Sequence, residues 1–258
     1  MVRSGTSPAI HEFPAHTGYA AVIIDVVESR AAPSRAELQD HLLAAVAAVG
    51  ERAAGRPGEV LDPLAITVGD EMQATCSSVL AALRLVAELR LLLRVEGIDA
   101  RAGIGWGAIV VRDPARAPLA QDGPAWWRAR AALDAVADST AWAGYERRTA
   151  ADLPRGAADD STPDNSAPDD RAATAPGLPA PRPLDVVPGP LLDSYLALLD
   201  RNLGLLDAQD ALVVLHDLAG GPTAPLAERL GVAANSVSMR RSRNHLRELT
   251  HALGSLSA

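Results

Sequence analysis

Lysine is absent from this 258-residue chain: all 24 basic side chains are arginine, set against 32 acidic ones, for a net charge of −8. An acidic balance of this size argues against a protein that coats nucleic acid non-specifically, and leaves room for a local basic helix. Cysteine occurs once, at Cys76, so no intrachain disulfide can form. A reducing compartment is expected, with Cys76 as a small core residue. Aromatic residues are only 3% of the chain, so the core has to be built from Ala, Val and Leu, which the 48% apolar content supplies. No apolar run flanked by basic residues stands near Met1, so no ordinary signal peptide is expected. The longest apolar helix candidate, residues 79–93, carries Arg84, Glu88 and Arg90 and is not expected to span a membrane. The expectation is a cytoplasmic protein without membrane contact. The six histidines are scattered, with no zinc-type His/Cys spacing. There is no Gly-x-Ser-x-Gly elbow or Walker-type glycine loop.

What is present begins with a carboxylate inside an apolar run. Residues 20–27 read Ala-Ala-Val-Ile-Ile-Asp-Val-Val, the pattern of a strand buried on both faces, with Asp25 within it. A buried carboxylate without a partner costs several kcal/mol, so Asp25 implies a cation, a metal or a dense set of donors. A second acidic pair, Asp70-Glu71, follows another apolar strand at a glycine turn. Two carboxylate sites on neighbouring strands are what a divalent cation needs. A structural alternative is open: Asp25 paired with an arginine such as Arg101, and a solvated turn at Asp70.

The rest of residues 19–150 reads as one compact unit. Ser34-Arg-Ala-Glu37 is a capping-box pattern that starts a helix over 34–54. Strands are expected at 64–68 and 71–75, joined by a tight turn at Gly69-Asp70. A helix at 79–94 and a glycine-interrupted strand at 100–111 follow. Asp122 suits the N-cap of a further helix, with Pro124 in its first turn. Within that helix the adjacent Trp126 and Trp127 must point to different sides, one packed and one partly exposed. The order β-α-β-β-α-β predicts an α+β fold, a ferredoxin-like antiparallel sheet with helices on one face.

Residues 1–18 are expected to form a flexible N-terminus. Residues 151–188 are rich in Pro, Asp and Ala and read as a linker or surface loop, with a short edge strand at 184–187. Residues 189–258 read as a small all-α domain. Within it, Leu226-Ala227, Leu230-Gly231-Val232 and Val237 have helix-turn-helix spacing over about 223–247. The small residue allows a close crossing, and glycine in the turn permits positive φ. Thr223 is the expected cap of the first helix. In the second, Asn235, Ser236, Ser238 and Arg240 are placed to face a major groove, with Arg241, Arg243 and Arg247 on phosphates. DNA is therefore the expected partner. RNA polymerase bound through the same helices, and a homodimer, are the other partners considered.

This C-terminal pattern resembles the helix-turn-helix region of sigma factors. That family has an apolar residue three or four positions after Val237, where this chain has Arg240 and Arg241. The N-terminal unit resembles the palm-like domain of class III nucleotide cyclases, diguanylate cyclases and palm polymerases. The matching residues are Asp25, Val68-Gly69-Asp70-Glu71, Arg101-Ala-Gly-Ile-Gly105 and Asp122-Gly-Pro-Ala-Trp-Trp-Arg-Ala-Arg130. The resemblance implies Asp25 and Asp70 as metal ligands, with Glu71 as a third. Gly69, Arg101, Arg128 and Arg130 would hold a nucleoside triphosphate with Mg²⁺. It also implies an enzyme alternative, a metal-dependent cyclase or nucleotidyl transferase. Val68 stands where diguanylate cyclases have a glycine, and no lysine is available for phosphate. Taken in order, both regions together resemble the SatD-like family of bacterial proteins. The overall expectation is a DNA-binding regulator whose palm-like domain senses a nucleotide or mediates assembly.

Overall fold

The computed structural model describes residues 11–12, 18–29, 32–111, 116, 118–137, 147–153 and 189–257. Most of the expected N-terminal arm, and the Pro-rich segment from residue 154 to 188 with its edge strand, lie outside the described residues. The elements in chain order are β1 (His11–Glu12), β2 (Tyr19–Val26), α1 (Arg35–Ala54), β3 (Val60–Val68), β4 (Glu71–Cys76), α2 (Val79–Val95), β5 (Ala100–Gly107), β6 (Val110–Val111), β7 (Gln121–Asp122), α3 (Pro124–Ala137) and β8 (Thr149–Asp152). Five helices follow: α4 (Gly189–Leu205), α5 (Ala208–Leu218), α6 (Thr223–Leu230), α7 (Ala234–Arg243) and α8 (Leu246–Gly254).

The main sheet has five strands in the order β3-β4-β2-β5-β8, antiparallel except for the β5–β8 pair. This is the α+β architecture expected, with β2 central. Pro63 lies within β3, which is tolerable because β3 is an edge strand whose pairing with β4 shifts register on either side of it. Ser34 caps α1, its Oγ accepting the Glu37 N–H at 3.2 Å. Ser78 does the same for α2, accepting from the Ala81 N–H at 3.1 Å.

Residues alternate across β2. Ala20, Val22, Ile24 and Val26 join the core beneath α1 and α2, whereas Tyr19, Ala21 and Ile23 pack under α3. Helices therefore cover both faces, α3 being added opposite the expected pair. Its close seat explains the glycines of β5. A Cβ on Gly103 would lie 2.0 Å from the Ala129 carbonyl oxygen, and one on Gly105 2.0 Å from that of Ala125. Only glycine lets the helix backbone approach the strand this closely.

α2 is buried around its whole circumference, which is why its sequence is apolar on every side. One side meets the sheet, and another meets the C-terminal helices, so that α4 to α8 share one apolar core with the α1–α2 face. Its three buried charged residues each find partners. Arg84 Nη1 donates to Glu59 at 2.9 Å, Glu88 accepts from Arg56 at 2.8 Å, and Arg90 pairs with Asp200 of α4. Burial lowers the Arg84 pKa from its ordinary value, against the pull of Glu59.

The Arg90–Asp200 pair is almost free of solvent on both sides. Asp200 Oδ2 also accepts the N–H groups of Arg148 at 2.9 Å and Thr149 at 2.7 Å, and Oδ1 accepts the Thr149 hydroxyl at 2.9 Å. One carboxylate thus binds α2, α4 and the start of β8. Removing it leaves the buried Arg90 guanidinium with only the longer contact to Asp99, at 3.4 Å, as counter-charge. Asp200→Ala is expected to destabilise the chain by about 3–5 kcal/mol, whereas the double variant Arg90→Met with Asp200→Leu is destabilised much less. Denaturant unfolding of the three proteins checks this, and equal destabilisation of the single and double variants would refute it.

Candidate functional site

Two regions gather the residues singled out in the sequence. The first is the mouth of the sheet, where the end of β2 meets the β3–β4 hairpin. Gly69 adopts φ +65 in the two-residue turn and its carbonyl accepts from Gln39 Nε2 of α1 at 3.0 Å. A cleft of about 280 Å³ is lined by Asp25, Val26, Glu28, Ser29, Asp70 and Arg101. The fold therefore brings Asp25, Asp70 and Arg101 together.

Asp25 is only half-buried, since β2 has reached the edge of the core there. It is opposite Arg101 in the β2–β5 register, and Arg101 Nη2 donates to its Oδ2 at 2.6 Å. The cation that Asp25 demands is thus an arginine. Glu71 points elsewhere: both its oxygens accept from Arg130 Nη2, at 2.9 and 2.7 Å, and Gln73 Nε2 adds a bond at 2.9 Å. Arg128 donates to the Trp106 carbonyl at 2.6 Å. Among the described residues, no group of three or more His, Cys, Asp or Glu is placed to hold a metal ion. With Asp25 and Glu71 each neutralised by an arginine, the set does not fit Mg²⁺ as it stands. Arg128 and Arg130 are likewise engaged within the protein rather than turned into the cleft.

Glu28 belongs to this cleft and was not among the expected residues. It holds φ 55, a left-handed conformation unusual for a non-glycine residue. No sequence signal marks it, because Glu has no preference for that conformation.

The Trp pair behaves as expected: Trp126 is buried and Trp127 exposed, its Nε1 donating to Asp122 at 2.8 Å. Asp122 does not cap α3. Its carboxylate takes the Gly123 N–H at 2.7 Å, and Gly123 supplies the carbonyl that starts the helix. Cys76 is fully buried, and burial pushes its thiol up to about 12, with Glu59 and Asp62 adding to the effect.

The second region is α6, Gly231 and α7. Gly231 is left-handed at φ 65, and Leu226, Ala227 and Val237 are buried between the two helices. Pro222, not Thr223, occupies the N-cap of α6; the Thr223 hydroxyl instead accepts from Arg241 Nη1 at 2.8 Å. Asn235 and Ser236 are exposed at the start of α7, and Ser238 Oγ turns back to the Ala234 carbonyl at 3.3 Å. Arg243 and Arg247 are exposed.

Arg240 and Arg241 are placed differently from the expectation. Arg241 is buried, its Nε donating to Asp217 Oδ2 of α5 at 2.8 Å. Arg240 donates to Asp207 at 3.0 Å, to Asp210 at 2.6 Å and to Gln209 at 2.7 Å. Both therefore fasten α7 to α5 and are spent inside the fold. They stand where the sigma-type pattern has an apolar residue, and charge pairing with α5 does the work that apolar packing would do. Burial alone would raise the Asp207 pKa, but the Asp210 N–H and the Arg240 guanidinium outweigh it and hold the carboxyl below its usual range.

The molecule is thus an α+β sheet protein with a helix-turn-helix arrangement carried on α5, which packs on the central helix. A protein-family model described as the SatD family matches residues 19–151, and the chain belongs to that family. No curated protein matches the sequence. Fourteen chains of solved structures match it. One is the crystal structure of the adenylyl cyclase CyaB from P. aeruginosa, with 18% identity and a TM-score of 0.35 over 46% of this chain and 71% of that chain. Among the described residues, no helix is long and apolar enough to cross a membrane.

Because the folded Asp207 is more acidic than the unfolded one, its contribution is complete above the unfolded pKa, about 3.9, and disappears as pH falls through the lower folded value. The difference in Tm between the natural protein and Asp207→Asn is expected to stay constant from neutral pH to about pH 4 and to close below it. Thermal melts across that range check the sign, and a difference independent of pH would refute the electrostatic account.

Proposed function

We propose that this SatD-family protein is a DNA-binding regulator that reads its site with α7, the sheet domain being the body that carries the reading helix. The observation that supports this is the pairing of a left-handed Gly231 between two apolar-packed helices with an exposed, polar start to α7. Asn235 and Ser236 are short polar side chains of the kind that reach base edges, asparagine pairing with adenine in two bonds. Arg243 and Arg247, with Arg229 at the end of α6, are exposed cations suited to phosphates. Arg240 and Arg241 serve as anchors that fix the angle of α7 on α5.

The overall charge of −8 limits non-specific affinity, so sequence reading depends on this local cluster. Such binding is electrostatic in large part and falls steeply with salt. The test is fluorescence anisotropy of the full chain with a random-sequence duplex pool and with sequences selected from it. Arg243→Ala combined with Arg247→Ala is expected to weaken binding about tenfold or more at low salt. The same pair should reduce the salt slope by about 2, one for each phosphate left without its arginine. Asn235→Ala should instead relax base preference at one position. Absent binding, or binding indifferent to these variants, overturns the reading and turns the exposed α7 surface toward a protein partner such as RNA polymerase.

A further inference from the structure

Met239 stands at the middle of the outward face of α7 and is 53% exposed. It is four residues after Asn235 and four before Arg243, so the three lie one above another on a single face. That face is opposite the buried Val237 and Arg241, which seat the helix. Ser236 is exposed beside it. A thioether at this place is out of keeping with its polar neighbours, and it is not alone. Val232, in the turn after Gly231, is 40% exposed. A groove of about 340 Å³ between α7 and the start of α5 has Leu230, Val232, Ser236, Met239 and Arg243 in its lining. Asp207 also borders it, with its charge met by Arg240 at 3.0 Å, so no unpaired carboxylate opposes a phosphate there.

The chemistry of duplex DNA narrows what such a residue can meet. Base edges in the major groove present hydrogen-bond donors and acceptors, and one apolar group, the C5 methyl of thymine. Methylation of cytosine places the same group at the same carbon. An apolar side chain between two polar ones on a reading helix therefore has a methylated pyrimidine as its matching contact. Methionine suits it, because an unbranched, polarizable side chain adapts to a small apolar target. Position follows from the helix rise. Four residues advance about 6 Å along α7, which is about two base steps.

We propose that Met239, with Val232 beside it, is a specificity-determining residue that packs on the C5 methyl of a pyrimidine about two base pairs from the base read by Asn235. The proposal rests on the reading of α7 as a DNA-binding helix and adds the chemical class of base recognised at its centre. Arg243 and Arg247 hold phosphates and set affinity, whereas Met239 discriminates.

Fluorescence anisotropy of the full chain tests this, with duplexes selected from the random pool in which each thymine in turn is replaced by deoxyuridine. That change removes the methyl and keeps the base pair. At one position it should weaken binding by about fourfold, the worth of one buried methyl. Met239→Ala should bind the thymine and deoxyuridine duplexes equally, with its salt slope unchanged because no charge is lost. Met239→Leu should keep most of the discrimination. Since Met239 is exposed, both variants should keep the circular dichroism spectrum of the natural chain. A second arm places cytosine or 5-methylcytosine at that position, and a gain of similar size with the methylated base supports the proposal. A preference found only with 5-methylcytosine supports it too and assigns the methyl to modified DNA. DNA binding that tolerates deoxyuridine everywhere and gains nothing from 5-methylcytosine overturns this inference and leaves the DNA-binding reading standing. Discrimination that survives Met239→Ala overturns it as well, as does a protein partner lost with Met239→Ala while DNA shows no methyl effect. No binding to any duplex overturns both.

Discussion

The whole molecule hinges on one buried carboxylate, that of Asp200. It meets the Arg90 guanidinium in a place nearly closed to water, and it takes three further bonds from Arg148 and Thr149. Burying either charge alone would be costly, and the two together are tolerable only because nearly every lone pair of the carboxylate is used. The pair joins the central helix, the first C-terminal helix and the parallel edge strand at one point. Sheet and helical region consequently form one core, and anything α7 binds is presented from a fixed body.

Arginine carries most of the charge pairing elsewhere. Its planar fork can satisfy both carboxylate oxygens, and it stays charged when buried. Arg101 settles Asp25, Arg130 settles Glu71, and Arg84 and Arg56 settle Glu59 and Glu88. A chain without lysine therefore lines its acidic positions with fixed cations. At the mouth of the sheet this turns a pair of strand-end carboxylates into an ion-paired cleft. At α7 the same device replaces apolar packing, with Arg240 and Arg241 holding the helix against α5 from two ends.

Much of the scaffold was legible in the sequence because its signals are local. The Ser34 capping box, the Gly69-Asp70 turn and the left-handed Gly231 each depend on residues within a few positions of one another. Asp25 was legible as a carboxylate in need of a cation, with Arg101 among the candidates, because strand order sets the two side by side. Less was legible where a residue has two plausible neighbours. Thr223 and Asp122 looked like caps and are used otherwise, since a Pro and a Gly took those positions.

By itself the sequence determined the order of the longer helices and strands, the α+β class, the Ser34 cap, the Gly69-Asp70 turn and the helix-turn-helix spacing, all set by period, backbone freedom and side-chain reach over short distances. Tertiary structure alone decided which charges meet. Asp200 lies 110 residues from Arg90, and Arg240 lies 33 from Asp207. Such pairs follow from the packing of α4 and α5 on a helix buried all round, and no local rule specifies which arginine a distant carboxylate will find.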